Sequence, residues 1–184
     1  MAAAARVMQR GGAAMARIEL VAEAALDAGL CRYRGRTADG VLLGLAHAPE
    51  LAERWLAFYV PLTKEDGRLP IELKELVRLQ IAGVYGCDYC TSFITPPSQA
   101  RGLTVDKVRW VMMPDAPAAP FTPAERAMLR YTLTMATGSG QLSDADVAAV
   151  RAHFRDDQVV ELSMLAAALI GFGRVSITGL KLVE

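Results

Sequence analysis

The chain predicts an all-α domain, and three observations carry the prediction. Ala, Leu, Glu, Arg and Met dominate its 184 residues, while β-branched clusters are scarce. Apolar residues recur at three- and four-residue spacing, as at Leu73, Leu76, Val77, Ile81 and Val84, which is the period of one buried helix face. No stretch alternates apolar and polar residues as a half-buried strand does. The length and a hydrophobic fraction of 53% suit a single packed core.

The elements follow in order. Residues 1–37 read as an N-terminal extension, partly helical, ahead of a helical domain over 38–184. Within the extension, Ile18 to Ala28 has helical spacing and is expected to stop at Gly29. Val41 to His47 forms a short helix that ends before Pro49, because the residue preceding a proline is pushed out of the helical region. Pro49 then opens a helix to about Val60. Lys64 to Gly67 is a turn, and Leu69-Pro70 leads into a strong helix from Ile71 to about Tyr85.

Gly86 is the natural stop of that helix. Cys87 therefore starts a new one, which Thr95-Pro96-Pro97 interrupts. Ser98 to Arg101 turns and Gly102 ends the turn. Thr104 caps a helix from Val105 to about Met113, and Pro114 to Pro120 is a loop. Thr122-Pro123-Ala124-Glu125 has the pattern of a capping box with proline in the first helical position, opening a helix to about Ala136. Ser143 caps Asp144 to Phe154. Asp156 or Asp157 opens the last helix, which runs to about Ile177.

Composition excludes some functions. Lys plus Arg and Asp plus Glu both number 20, so no global field draws the chain to nucleic acid or to an anionic membrane. No apolar run reaches the roughly 18 residues of a membrane span; the longest, near Leu162 to Phe172, reads as a buried helix. Three cysteines, an odd number, argue against a disulfide-stapled secreted fold, and a reducing cytoplasm is the expected setting. Arg6, Arg10 and Arg17, with no acid before Glu19, weakly resemble an organellar transit peptide; an Ala-rich extension is the plainer reading.

Chemistry concentrates at Cys87-Asp88-Tyr89-Cys90. Two thiols at this spacing close a small disulfide, hold a metal or simply pack as small apolar groups. A metal reading is poorly served: zinc wants four ligands, and Cys31, His47 and His153 lie at no ligand-like spacing from the pair. At the start of a helix, free N–H groups and the dipole favour the thiolate, the species that attacks a peroxide oxygen or a disulfide sulfur. Cys31 reads as a packed thiol. Glu75, on the preceding helix, has two readings. It is a general base that takes a thiol proton directly or through water, or it is a solvated helix charge paired with Arg78 or Lys74.

The run from Glu75 through Gly86 to Cys87-Asp88-Tyr89-Cys90, followed by Ala100-Arg101-Gly102-Leu103, resembles the carboxymuconolactone decarboxylase/alkylhydroperoxidase D-like (AhpD-like) family. Leu45 to Leu51 and Leu69-Pro70 resemble it as well. The resemblance implies an AhpD-like helical bundle that forms dimers, trimers or hexamers. It implies a peroxidase or disulfide reductase working without cofactor or metal, on a hydroperoxide or other small molecule, with a dithiol or a reductase protein as electron donor. By position it makes Cys90 the attacking thiol, Cys87 the resolving thiol and Glu75 the base. The family's ring-acid decarboxylases generally lack the cysteine pair.

One departure matters. Where the family places a relay histidine after the second cysteine, this chain has Ile94, which neither accepts nor donates a proton. Tyr89 stands where some members carry another histidine; its phenol, with an ordinary pKa near ~10, is a poor base at neutral pH but a competent hydrogen-bond donor. Losing such a partner costs ~10²–10⁴ in rate, so a slow enzyme is expected. Two other readings stand beside it: an oligomer on this fold with weak or no turnover, acting as a redox sensor or binding protein, and a decarboxylase-like enzyme whose cleft uses Glu75, Tyr89, Tyr59 and His47.

Overall fold

A computed structural model describes residues 16–183. Helices make up the fold; the one extended pairing among these residues is an isolated bridge between Arg34 and Thr37. In chain order they are α1 (Ala28–Cys31), α2 (Asp39–Leu45), α3 (Pro49–Lys64), α4 (Ile71–Val84), α5 (Asp88–Thr91), α6 (Pro96–Ala100), α7 (Val105–Val108), α8 (Pro123–Ala136), α9 (Asp144–Arg151) and α10 (Asp156–Gly173).

The centre is α4. Of the expected face, Leu76, Val77 and Ile81 are buried while Leu73 and Val84 are half-buried. Leu79 is buried too, because α4 packs against α8, α10, α3, α5 and α6 and is enclosed on more than one face. Met128, Leu129, Leu162, Leu165 and Ala166 complete the main core. One polar group sits inside it. Gln80 is fully buried, donates to the carbonyl of Val111 at 2.7 Å and accepts from Thr132 Oγ1 at 2.5 Å. Both halves of its amide are therefore satisfied, and the amide ties α4 to α8 and to the Val111 segment.

A second cluster joins Leu26, Leu30 and Tyr33 to Leu42 on α2 and to Leu56 and Val60 on α3. Part of the segment expected to be an extension thus shares a core with α2 and α3. Residues 1–15, where Arg6 and Arg10 lie, fall outside the described residues. A third cluster seats Leu182 against Val41 and Phe172. Gly40 and Gly44 make that seat possible: a Cβ at Gly40 would stand 2.3 Å from the Leu182 carbonyl oxygen, and one at Gly44 would stand 2.6 Å from the Leu182 side chain.

The capping signals hold at three helix starts: the Lys107 N–H donates to Thr104 Oγ1 at the start of α7. Thr122 and Glu125 exchange hydrogen bonds as a capping box with Pro123 at the first position, and Ser143 and Asp146 do the same for α9. Several boundaries differ from expectation; the turn expected at residues 98–101 falls mostly within α6, and α10 ends at Gly173, before Ile177. The helix expected over 18–28 is replaced by a single 3-10 turn, Glu23–Ala25, and by α1, because the Asp27 carboxylate caps Gly29 N and starts a helix where one was expected to end. α3 continues past Pro61, which is exposed: the one backbone bond that proline removes faces water. α7 is a single turn, after which Val111 and Met113 donate three residues back instead of four. α9 ends at Arg151, short of Phe154.

The α10 segment also departs from expectation. The helix over Asp156–Gly179 is long and apolar enough, by length and composition, to cross a membrane. Leu162, Leu165, Ala166 and Leu169 on it are buried against α4 and α8, as on a core helix.

Candidate active site

The cysteine pair is placed by the end of α4. Gly86 takes a left-handed conformation (φ 62°), its N–H donates to the Gly83 carbonyl at 3.1 Å, and the Cys87 N–H reaches back to the Ala82 carbonyl at 3.0 Å. This is a Schellman stop, in which glycine avoids the Cβ clash that other residues meet. It folds the chain back so that Cys87 lies against α4, 4% exposed, and becomes the N-cap of α5. Cys87 and Cys90 form a disulfide with Cα atoms 5.2 Å apart. The Cys90 N–H donates to Cys87 Sγ at 3.2 Å. α5 is only one turn, so this single N–H, and not the dipole of a long helix, is what the backbone offers the sulfur.

The two cysteines have different surroundings. Cys90 lines a cleft of about 380 Å³, whereas Cys87 lies beneath it. The cleft runs between the chain after α5, the ends of α3 and α10, and the C-terminal segment. Ile81, Leu169 and Phe172 give it apolar walls. Tyr89, 46% exposed, stands at its edge and meets Phe93 edge-on with ring centroids 5.7 Å apart. Tyr59 also lines it, its pKa pushed up to about 12, chiefly by burial, so it stays a neutral phenol.

Glu75 and Arg78 form the electrostatic centre beside the thiols. Glu75 is 1% exposed. Arg78 Nε donates to its Oε2 at 2.8 Å and Arg78 Nη2 to its Oε1 at 2.8 Å, a two-pronged pair one helical turn apart; the Thr95 N–H also donates to Oε1 at 2.8 Å. Burial opposes the charge of Glu75, but the hydrogen bonds and charge of Arg78 outweigh it and hold the carboxyl below its ordinary range. Arg78 then reaches forward. Nη1 donates to the Cys90 carbonyl at 2.6 Å, Nη2 donates to the Phe93 carbonyl at 3.0 Å, and the guanidinium lies 4.9 Å from the Phe93 ring centre.

The geometry sorts the sequence candidates. Cys90, Tyr89, Tyr59 and Arg78 face one cleft. Glu75 is adjacent but behind Arg78; the expectation of a solvated charge fails because its pairing takes place in the interior. Neither histidine lines the cleft: His47 Nε2 bonds the Glu19 carbonyl oxygen at 2.7 Å on the surface, and His153 is exposed. Ile94, where the resemblance led to the expectation of a histidine, is buried in the main core. Cys31 is a free, exposed thiol and not the packed one expected, because α1 turns it outward. The residue the sequence reading undervalued is Arg78, named only as a partner for Glu75. Its spacing from Glu75 was the available signal.

This is an all-α protein with a CxxC disulfide whose outer cysteine, Cys90, lines a mostly apolar, cation-flanked cleft. Residues 49–134 match the Carboxymuconolactone decarboxylase family, and the fold is that of AhpD-like proteins. An uncharacterized peroxidase-related protein with an alkylhydroperoxidase AhpD core, from Ralstonia eutropha, superposes with a TM-score of 0.70 at 23% identity, covering 91% of each chain. An uncharacterized peroxidase-related protein from Silicibacter sp. gives 0.72 at 18% identity, covering 89% of each. The debrominase Bmp8 in complex with 2,3,4-tribromopyrrole gives 0.65 at 18% identity, covering 82% of this chain and 79% of its own. No curated protein matches the chain.

Proposed function

We propose that the protein is a slow thiol-dependent peroxidase that uses Cys90 and Cys87 as its redox pair. What supports the reading above all is the unequal placement of the two sulfurs: Cys90 on a cleft, Cys87 buried directly behind it and within disulfide reach.

In the proposed cycle the Cys90 thiolate attacks the distal oxygen of a hydroperoxide. The O–O bond breaks, the sulfur becomes a sulfenic acid, and the organic oxygen leaves as an alcohol after taking up a proton. The Cys87 thiol then attacks the sulfenic sulfur, forming the disulfide and releasing water. An external dithiol, or a reductase protein carrying one, returns two electrons and two protons by thiol–disulfide exchange. In sum, one hydroperoxide and one dithiol give one alcohol, one water and one disulfide.

Arg78 lines the same cleft and holds the Cys90 carbonyl, so it positions the outer thiol; its charge is already matched by Glu75. Glu75 is a positioning residue in this scheme. Both its oxygens are engaged by Arg78 and Thr95, and a carboxyl held below its ordinary range is a weak proton acceptor. Tyr89 donates a hydrogen bond to the departing oxygen. The thiol proton leaves to water in the open cleft, which is the reason for a slow rate. A reducing compartment such as the cytoplasm suits the cycle. A homo-oligomer is proposed as well, with the exposed Phe58, Val160 and Met164 as contacts.

A second reading is favoured by one observation. With Ile94 in the core and both histidines away from the cleft, the pair could close once and report redox state without turnover. The two readings separate in one experiment: free thiols and intact mass of the reduced protein, before and after organic hydroperoxide, with and without excess dithiol. Repeated consumption of hydroperoxide with dithiol supports the peroxidase. A single stoichiometric oxidation without turnover overturns it in favour of the sensor.

A further inference from the structure

The charged residues around the cleft all have one sign. Arg36, Lys64 and Arg78 line it, and among the described residues no Asp or Glu does. Two of the three are already neutralised: Arg78 by Glu75, and Arg36 by an ion pair with Glu65. Lys64 makes no ion pair and donates no side-chain hydrogen bond among the described residues, although its neighbour Glu65 is spent on Arg36 and, through its carbonyl, on Lys74. Being in the last turn of α3 gives Lys64 a favourable helix end, but that end does not require the side chain to be turned into a cleft.

The position is costly for a cation. Lys64 is half-buried, and its pKa is lowered, first by burial and next by the like charge of Arg78, with Arg36 adding to this and Glu75 opposing it. A lone ammonium in such a place lacks only a negative partner. The walls facing it are apolar, with Val41, Phe172 and Ile177 among them, and Cys90 lies on the same cleft.

We infer that the cleft selects organic hydroperoxides that carry a carboxylate on an apolar body, with the carboxylate seated on Lys64 and the peroxide presented to Cys90. This rests on the peroxidase reading and gives it a substrate class. Lys64 is then a specificity residue: it binds a part of the substrate that does not react and so fixes which end reaches the sulfur. A carboxylate matches the site because one compact anionic group satisfies one ammonium, while the remaining volume is lined by hydrocarbon.

The test uses two hydroperoxides that differ only in this group: cumene hydroperoxide and its para-carboxylate. Each is mixed with the reduced full-length protein, and the rate of thiol-pair loss is followed. In the native protein the carboxylate is expected to react about tenfold faster, the size of one charge-assisted hydrogen bond. In Lys64→Met the ratio is expected to fall to near unity, and Lys64→Arg is expected to recover most of it. A ratio near unity in the native protein, or a preference that survives Lys64→Met, overturns the inference.

Binding of para-isopropylbenzoate, which cannot react, is measured by calorimetry on the same three proteins. If neither hydroperoxide oxidises the pair, the peroxidase reading has failed and binding alone decides. Binding that needs a cation at position 64 keeps the anion seat, and binding that is absent or indifferent to Lys64→Met removes it. Urea midpoints of the variants show whether each is folded.

Discussion

Arg78 donates to the Cys90 carbonyl at 2.6 Å while both oxygens of Glu75 hold the same guanidinium. The segment carrying the outer sulfur is thus fastened to α4 through a buried ion pair. The pair is 11% and 2% exposed, so it is not a surface salt bridge whose value water erodes.

Removing one partner of such a pair strands the other. Arg78→Ala leaves the Glu75 carboxylate buried with only the Thr95 N–H, and is expected to destabilise the fold by about 3–5 kcal/mol. Arg78→Lys keeps a charge but cannot form the two-pronged bond or reach both carbonyls, so a sizeable part of the loss remains. Urea unfolding of both variants checks the order. Equal stability of Arg78→Ala and the native protein would refute the arrangement.

The same pair sets an acid limit. The carboxyl of Glu75 has a lower pKa folded than its ordinary 4.5 in the unfolded chain. Its contribution is therefore complete above the ordinary value and is lost as pH falls through the folded one, because there the unfolded state binds the proton more readily. The urea midpoint should fall as pH drops below that ordinary value of 4.5. In Glu75→Gln that fall should be shallower, from a lower starting stability. A native protein whose midpoint is flat across this window would count against the pairing.

The cysteines should differ when each is changed alone. With Cys90→Ser, hydroperoxide should no longer remove two thiols. With Cys87→Ser, a sulfenic acid on Cys90 should accumulate and be trapped by a dimedone-type reagent, since its resolving partner is gone. Mass spectrometry locates the adduct. Trapping at residue 87 in Cys90→Ser, at native rate, would reverse the assignment.

Lys74 and Glu161 form a second interior pair at 2.6 Å, 1% and 10% exposed, joining α4 to α10. Lys74→Met alone leaves Glu161 without its cation and should cost about 3–5 kcal/mol. The double variant Lys74→Met, Glu161→Leu should regain most of that. Its recovery is limited by the Arg68 N–H, which donates to Glu161 Oε2 at 2.6 Å and would lose its acceptor. A double-mutant cycle by urea unfolding gives the coupling. Strict additivity of the two losses would rule the pair out as a stabilising unit.

Local signals in the sequence were read well where the cause is local. The Thr122 and Ser143 caps and the Gly86 stop each depend on a few adjacent residues, and each is where the sequence places it. Over residues 18–28 the helical spacing is overridden, because Asp27 offers a cap that resets the helix start. The site was legible as far as the thiol pair and the nearby carboxylate. What spacing could not show is that residues 90–95 fold over α4, which buries Glu75, turns Arg78 toward Cys90 and puts Ile94 in the core. Lys64 was hidden for the same reason: it comes from α3, a helix the motif does not include.

With Cys87 sealed beneath Cys90, the cleft has one doorway for two visitors. Oxidant and reductant must both meet the outer sulfur, and attack there by a dithiol expels Cys87, whose sulfur already holds the Cys90 N–H that eases its departure. The two cannot be present together. Under the proposed cycle, turnover alternates: rate plots at several dithiol concentrations should run parallel in the double-displacement pattern, and a bulky reductant should slow the cycle by blocking its own partner's entrance.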